Sequence, residues 1–209
     1  SAPEPTALNS RFRIRSPAPL QAPFRRGRSS DEKASSLCLN IPLRCALTNE
    51  DTIRRVRENA RRFWLMKTEP GECSIDDALA APVSWFGIRN YQARNFIRDD
   101  MSVGDGVLFY HSSCPEPGIV GLAVIDSEPY PDELQFDPEN EYFDAKSSKE
   151  NPRWLTINVK GLFKVPVIGL AALREHPELA DMPVLRRGNR LSITPVTAEE
   201  FRFITDHLF

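Results

Sequence analysis

The run "VLFYHSSCPEPGIVGLAVI" (107–125) limits the possible folds more than any other part of the chain. Two apolar segments of strand length flank a polar turn that holds two prolines and a glycine, so they read as neighbouring antiparallel strands. The longest apolar run, "GIVGLAVI" (118–125), is itself only strand-length. A membrane helix needs roughly 18 such residues or more, and no membrane span is expected. Strands paired without an intervening helix also argue against the strand–helix alternation of a doubly wound sheet.

The surrounding pattern extends this reading. "RFWLMK" (62–67) is a strand, and "EPGECSIDDALA" is a turn leading into a helix capped near Ser74. "YQARNFIRDDM" (91–101) is helical, with Ala93, Phe96 and Ile97 on one side. "WLTINVKGLFKVPV" (154–167) alternates like a long strand broken at Gly161, "IGLAALREHPELADM" (168–182) is a helix with a proline break, and "NRLSITPV" (189–196) is a short strand. "TAEEFRFITDHLF" closes the chain as a helix, with Thr197 and Glu200 in a capping box. The 28 residues between the strand at 115–125 and Trp154 are polar, acidic and without period. The sum is an α+β domain on a small, strongly bent antiparallel sheet or partly open barrel, spanning residues 62–209.

Residues 1–60 differ from the rest. The first 49 are rich in Pro, Ser, Ala and Arg without periodicity, a composition that cannot offset the entropy of ordering. They are expected to form a disordered extension; a transit peptide or a basic nucleic-acid arm has the same composition. "EDTIRRVRENARR" (50–62) has the pattern of a short helix. The extension carries 11 Lys and Arg against 6 Asp and Glu, so the remainder is acidic within a chain of net charge −2. Nucleic-acid affinity, if present, must come from a local patch rather than a broad basic face. Cys38, Cys45, Cys73 and Cys114 form no CxxC pair, and His111, His176 and His207 are scattered. Reduced thiols and no metal site are expected, as is a monomer in the cytoplasm, or in the nucleus of a eukaryote.

No phosphate loop, GxGxxG, GxSxG or HExxH occurs. His111 and Cys114 lie close together, but no third group orients them as a nucleophile and base would require. Asp137, Glu139, Glu141 and Asp144 do not have the spacing of a calcium loop. The window "SWFGIRNYQARNFIR" (84–98) is more telling. It gathers four aromatic residues, three arginines and two asparagines, the mixture that nucleic-acid sites use to stack bases, read their edges and hold phosphates. Buried packing uses the same residues, and Trp64, Phe96, Phe109 and Trp154 are assigned to the core.

Four blocks in order, "FWLMKTEP", "WFGIRNYQARNFIRDDMSVGDGVLFYHSSCPEPGIVG", "FDP…YFDAKSSKENPRW" and "LRRGNRLSITPVT", resemble the EVE domain family. The resemblance runs from about Arg62 to Phe209. It implies a PUA-like fold: a bent antiparallel β-barrel with flanking helices, related to the YTH domains that read methylated adenine. It further implies a binding domain rather than an enzyme, without cofactor, that holds a modified base in an aromatic-lined pocket, with modified cytosine in DNA as the foremost ligand. In bacteria the family is linked with modification-dependent restriction, so a separate nuclease is a possible partner; this chain contains none. By motif position, Trp85, Arg89, Asn90, Tyr91, Tyr110, His111, Ser112, Tyr142 and Phe143 are expected around the base. Lys67, Arg186, Arg187, Asn189 and Arg190 are expected at phosphates. Two alternatives stay open: an RNA-binding PUA-like module, and a nucleotide-processing enzyme, for which His111 is the obvious titrating group.

Overall fold

The computed structural model describes residues 47–209; the expectation of disorder, where it concerns residues before 47, lies outside the described residues, together with Cys38 and Cys45. The elements follow as α1 (Asn49–Asn59), β1 (Phe63–Thr68), α2 (Ile75–Ala80), β2 (Val83–Ser84), α3 (Tyr91–Asn95), β3 (Gly106–His111), β4 (Gly118–Ile125), β5 (Tyr130–Pro131), β6 (Leu155–Thr156), β7 (Asn158–Gly169), α4 (Leu170–Arg174), β8 (Ile193–Val196) and α5 (Ala198–His207).

Side-chain alternation explains why the central strands are apolar throughout. In β1, Trp64 and Met66 enter one core while Phe63 and Leu65 enter a second on the opposite face. In β3, Val107 and Phe109 take the first face, Leu108 and Tyr110 the second. A strand covered on both sides loses the polar positions of a half-exposed one. The first face is covered by α2 and α3 through Ile75, Ala78 and Ala93, with Ile97 beyond. The second is covered by α1, α4 and α5 through Ile53, Val56, Leu173, Phe201 and Ile204. Phe63 and Phe201 stack there with ring centroids 4.1 Å apart. Each such side chain, fully buried, contributes about 1.5–3 kcal/mol.

The strand order is β2-β7-β4-β3-β1-β8, with β5 and β6 paired separately. The sheet is mixed rather than wholly antiparallel as expected, because β1 and β3 run parallel, from Phe63↔Gly106 to Thr68↔His111. The chain between them passes through α2, β2 and α3, a crossover long enough to return it in the same direction. The pairing of β3 with β4 is antiparallel, as expected. Register shifts at Phe109/Tyr110, Ile119/Gly121 and Leu122/Ala123 mark where the sheet bends, and the sheet curls into a half-barrel. Gly121 sits at one bend, where a Cβ would lie 2.5 Å from the Phe163 carbonyl oxygen.

Four local expectations are revised. Strand β7 continues through Gly161 instead of breaking; the glycine is there because α2 crosses so closely that a Cβ would sit 2.8 Å from the Leu79 nitrogen. The segment expected as a helix over 168–182 begins as strand, since Ile168 pairs with Ile119. It then makes only α4 and a short 3-10 turn, Pro177–Leu179; Pro177 cannot donate to a continuing helix. The helix over 91–101 changes after Asn95 to a π turn over Phe96–Asp100, in which the Met101 N–H donates to the Phe96 carbonyl at 2.9 Å. Helix α1 joins the folded body that the sequence started at residue 62: Ile53 and Val56 are buried, and Arg57 bonds to Asp206 at 2.6 Å. Both expected helix caps are present, at Ser74 and at Thr197 with Glu200.

Candidate functional site

The polar stretch 126–153 is where local sequence reveals least, and it builds half of the site. Its organiser is Asp132, whose side chain is 2% exposed. The carboxylate accepts from the N–H of Gly87 at 3.0 Å and of Leu134 at 3.1 Å, and from the Arg89 guanidinium at 2.8 Å. Arg89 in turn donates twice to the Tyr142 carbonyl, at 2.9 and 2.6 Å. The Arg89–Asp132 ion pair therefore ties the loop after β2 to the polar stretch 43 residues later. Gln135, fully buried, completes the frame: its amide donates to the carbonyls of Asp132 and Trp154 and accepts from the N–H groups of Arg153 and Trp154. Asp144 accepts from Lys146 N–H at 2.9 Å, Trp154 Nε1 at 2.8 Å and Arg153 at 3.0 Å, and these bonds hold its carboxyl below the usual range.

This frame presses the Tyr142 ring against Gly87. The glycine adopts φ +77°, and a Cβ there would lie 2.9 Å from the ring; position 87 thus requires glycine both for its backbone and for the close approach. Between Tyr142 and the sheet lies a cavity of about 160 Å³. Its aromatic walls are Trp85, Phe86 and Tyr142; Lys67 and Thr68 come from the end of β1, Glu72 and Cys73 from the turn before α2, and Ser192 from the residue before β8. Trp85 is 5% exposed and meets Phe109 edge-on at 5.4 Å, so the sheet fixes its ring. The space suits one small planar group and falls well short of the roughly 300–1,000 Å³ of drug-sized and cofactor clefts. Burial, with the charges of Asp77 and Glu72 behind it, pushes the Cys73 thiol up to about 11, so it stays neutral. Among the described residues no group of His, Cys, Asp and Glu is placed to hold a metal ion, and no helix is long and apolar enough to cross a membrane.

Of the residues expected around a base, Trp85 and Tyr142 line this cavity, and so does Lys67, expected at a phosphate. Arg89 serves the loop frame. Asn90 caps α3, accepting from the N–H groups of Gln92 and Ala93. Tyr91 packs on Trp154 at 5.0 Å beneath the Arg94 guanidinium and accepts a hydrogen bond from Arg153. Tyr110 is in the second core, on the opposite face of the sheet from Phe109; successive strand residues cannot both face one pocket. Ser112 donates to the Thr68 carbonyl, one residue from Lys67. Phe143 is exposed and does not line the cavity. In the 186–190 turn Asn189 is structural, donating to the Pro183 carbonyl at 2.6 Å and accepting from Leu191 N–H at 2.9 Å. Arg186, Arg187 and Arg190 are exposed, and the turn leads directly to Ser192 on the cavity. The residues that sequence reasoning missed are Thr68, Glu72, Cys73, Ser84, Phe86, Gly87, Ile88 and Ser192. The pairing of β1 with β8 brings in Ser192: the Lys67 N–H donates to its carbonyl at 2.7 Å.

His111 has a structural task. Its Nε2 accepts from the N–H of Ile75, the first residue of α2, at 3.1 Å, and its ring meets Phe109 edge-on. That bond needs the neutral ring, and burial holds the pKa below the ordinary 6.5 despite Asp76 nearby. The unfolded chain therefore binds the proton first as pH falls. The stabilisation is complete above about pH 6.5 and is lost as pH drops through the lower folded value. Denaturant midpoints measured from pH 7.5 to 5 should fall more steeply for the native protein than for His111→Gln. Parallel curves would show that the imidazole does not carry the effect.

The profile of the EVE domain family matches residues 62–207. Human thymocyte nuclear protein 1 is 40% identical over 168 residues, covering 70% of this chain and 74% of the human one. Among solved structures, a Pseudomonas putida protein is 44% identical with a TM-score of 0.66, covering 69% of this chain and 97% of its own. The human THYN1 protein, crystallised in complex with DNA containing 5-methylcytosine, is 40% identical with a TM-score of 0.64, covering 69% of this chain and 96% of its own. The curled half-barrel with flanking helices is accordingly the PUA-like fold of these neighbours, and the chain belongs to the EVE domain family.

Proposed function

We propose that this protein is a non-catalytic reader of a modified nucleobase, namely modified cytosine in DNA, which it takes out of the duplex into the cavity between Trp85 and Tyr142. One observation carries the reading: a cavity of about 160 Å³ with three aromatic walls and a lysine, in a chain 40% identical to a protein crystallised with 5-methylcytosine DNA. Extruding a base costs a few kcal/mol, and stacking on an aromatic ring recovers about 1–3 kcal/mol. The rigid frame around Asp132 and Gln135 supports this, since a preformed pocket spends no binding energy on ordering. Arg186, Arg187 and Arg190 beside Ser192 are suited to the flanking phosphates, which reconciles DNA binding with an acidic domain. The chain supplies recognition, and any strand cleavage belongs to a separate partner. In a eukaryotic cell its place of action is the nucleus.

The test is a binding titration at fixed salt, with cytosine, 5-methylcytosine, 5-hydroxymethylcytosine and N6-methyladenine presented in DNA and in RNA. Preference for a modified cytosine in DNA is expected. Tyr142→Ala, which removes a partly exposed ring from the loop, should weaken that binding roughly 5- to 150-fold, the worth of one base stack. Equal weak binding throughout, indifferent to Tyr142, would remove the reading. Stronger binding to the RNA forms, dependent on the 2′-OH, would replace it with an RNA-binding module.

A further inference from the structure

A reader of 5-methylcytosine in DNA faces one competitor that shape cannot reject. Thymine has the same ring and the same 5-methyl group. It differs at position 4, where a carbonyl replaces the amino group, and at N3, where an N–H replaces an acceptor. Discrimination therefore requires an acceptor and a donor on the cavity wall.

The cavity contains one of each. Lys67, at the end of β1, supplies an ammonium, which only donates; Glu72, in the turn before α2, supplies a carboxylate, which only accepts. Among the described residues neither side chain is held by an ion pair or a hydrogen bond, whereas the hydroxyl of Ser84 on the same cavity is. Ser84 accepts from Tyr130 at 3.0 Å and shares a bond with Thr156 at 3.2 Å. Burial pulls the Lys67 pKa down, as expected for a half-buried ammonium without a counter-charge. Burial first, then neighbouring acids including Glu72, raise the pKa of both the Cys73 thiol and the Tyr142 hydroxyl, and both of those residues line the same cavity as Glu72.

We infer that Glu72 and Lys67 read the Watson–Crick edge of the base, Glu72 accepting from the 4-amino group and Lys67 donating to N3 and O2, and that this pair rejects thymine; the inference rests on the base-reader function proposed above. Thymine in the same pose sets its O4 against the carboxylate and its N3–H against the ammonium, two repulsive contacts in place of two hydrogen bonds.

Fluorescence anisotropy with duplexes carrying 5-methylcytosine, cytosine or thymine, each opposite an abasic site, equalises the work of extrusion and isolates the edge. The native protein should prefer 5-methylcytosine over thymine by roughly tenfold to a hundredfold. In Glu72→Gln the amide can turn either its carbonyl or its amino group to the base, so the ratio should fall close to one with binding retained. In Glu72→Ala affinity for 5-methylcytosine should fall while affinity for thymine holds. A native ratio in either variant overturns the inference, as does an equal loss for both bases, or a native protein indifferent to thymine. Failure of the reader function itself shows separately, as native protein that does not distinguish 5-methylcytosine from cytosine in the same duplexes.

Discussion

Asp132→Ala is expected to destabilise the protein by about 3–5 kcal/mol, the usual result of removing one partner from a buried ion pair, and to abolish binding of modified DNA. The reason is the number of groups that depend on one carboxylate. With it gone, the Arg89 guanidinium keeps its two bonds to the Tyr142 carbonyl but loses its counter-charge, and the Gly87 and Leu134 N–H groups lose their acceptor. Gly87 is the residue against which the Tyr142 ring rests, so the loop frame and the cavity wall loosen together. Arg89→Met leaves Asp132 its backbone bonds to Gly87 and Leu134 but removes both its counter-charge and the hold on Tyr142, so stability and binding should fall together. Chemical denaturation together with the titration of 5-methylcytosine DNA measures both. An Asp132→Ala protein with native stability and native binding would show that the loop is held elsewhere.

The legibility of this protein in its sequence follows the range of its interactions. Strands β1, β3 and β4 and the caps at Ser74 and Thr197 depend on neighbours within a few residues, and the local pattern contains them. Gly161 looked like a breaker because its cause, the backbone of α2, is about 80 residues away in the chain. Stretch 126–153 read only as polar, acidic and without period because nothing local says that Asp132, and not a neighbouring acid, will meet Arg89, or that Gln135 will satisfy four backbone groups. The resemblance to the EVE family marked Trp85 and Tyr142 as pocket residues. Glu72 and Ser192 carry no such mark; they reach the cavity through the parallel β1–β3 crossover and the β1–β8 pairing. The misplacement of Tyr110 has a different cause. An uninterrupted apolar strand serves two faces, so of Tyr110 and His111 only one can share a side with Phe109.

Asp105 poses the same question at the far end of the domain, where the fold itself is at stake. The side chain is fully buried at the turn into β3, and all its partners are donors: the N–H groups of Arg61 at 3.2 Å, Arg62 at 3.0 Å and Ser102 at 3.1 Å, and Trp64 Nε1 at 3.1 Å. The carboxylate joins the segment before β1, the turn before β3 and the largest core side chain on the first face. Asp105→Ala strands four donors, and each one left buried without a partner costs about 1–3 kcal/mol. Water can reach those of Arg61 and Arg62, whose residues are exposed, but not the indole of Trp64, which is 1% exposed. A loss of at least about 3 kcal/mol is expected. The informative variant is Asp105→Asn. It is nearly isosteric, yet it offers one accepting oxygen where the carboxylate offers two, and its amino group faces N–H donors. Asp105→Asn should therefore be almost as unstable as Asp105→Ala in urea unfolding. Near-native stability of the Asn variant would mean that shape, and not the acceptor count, holds this corner of the sheet.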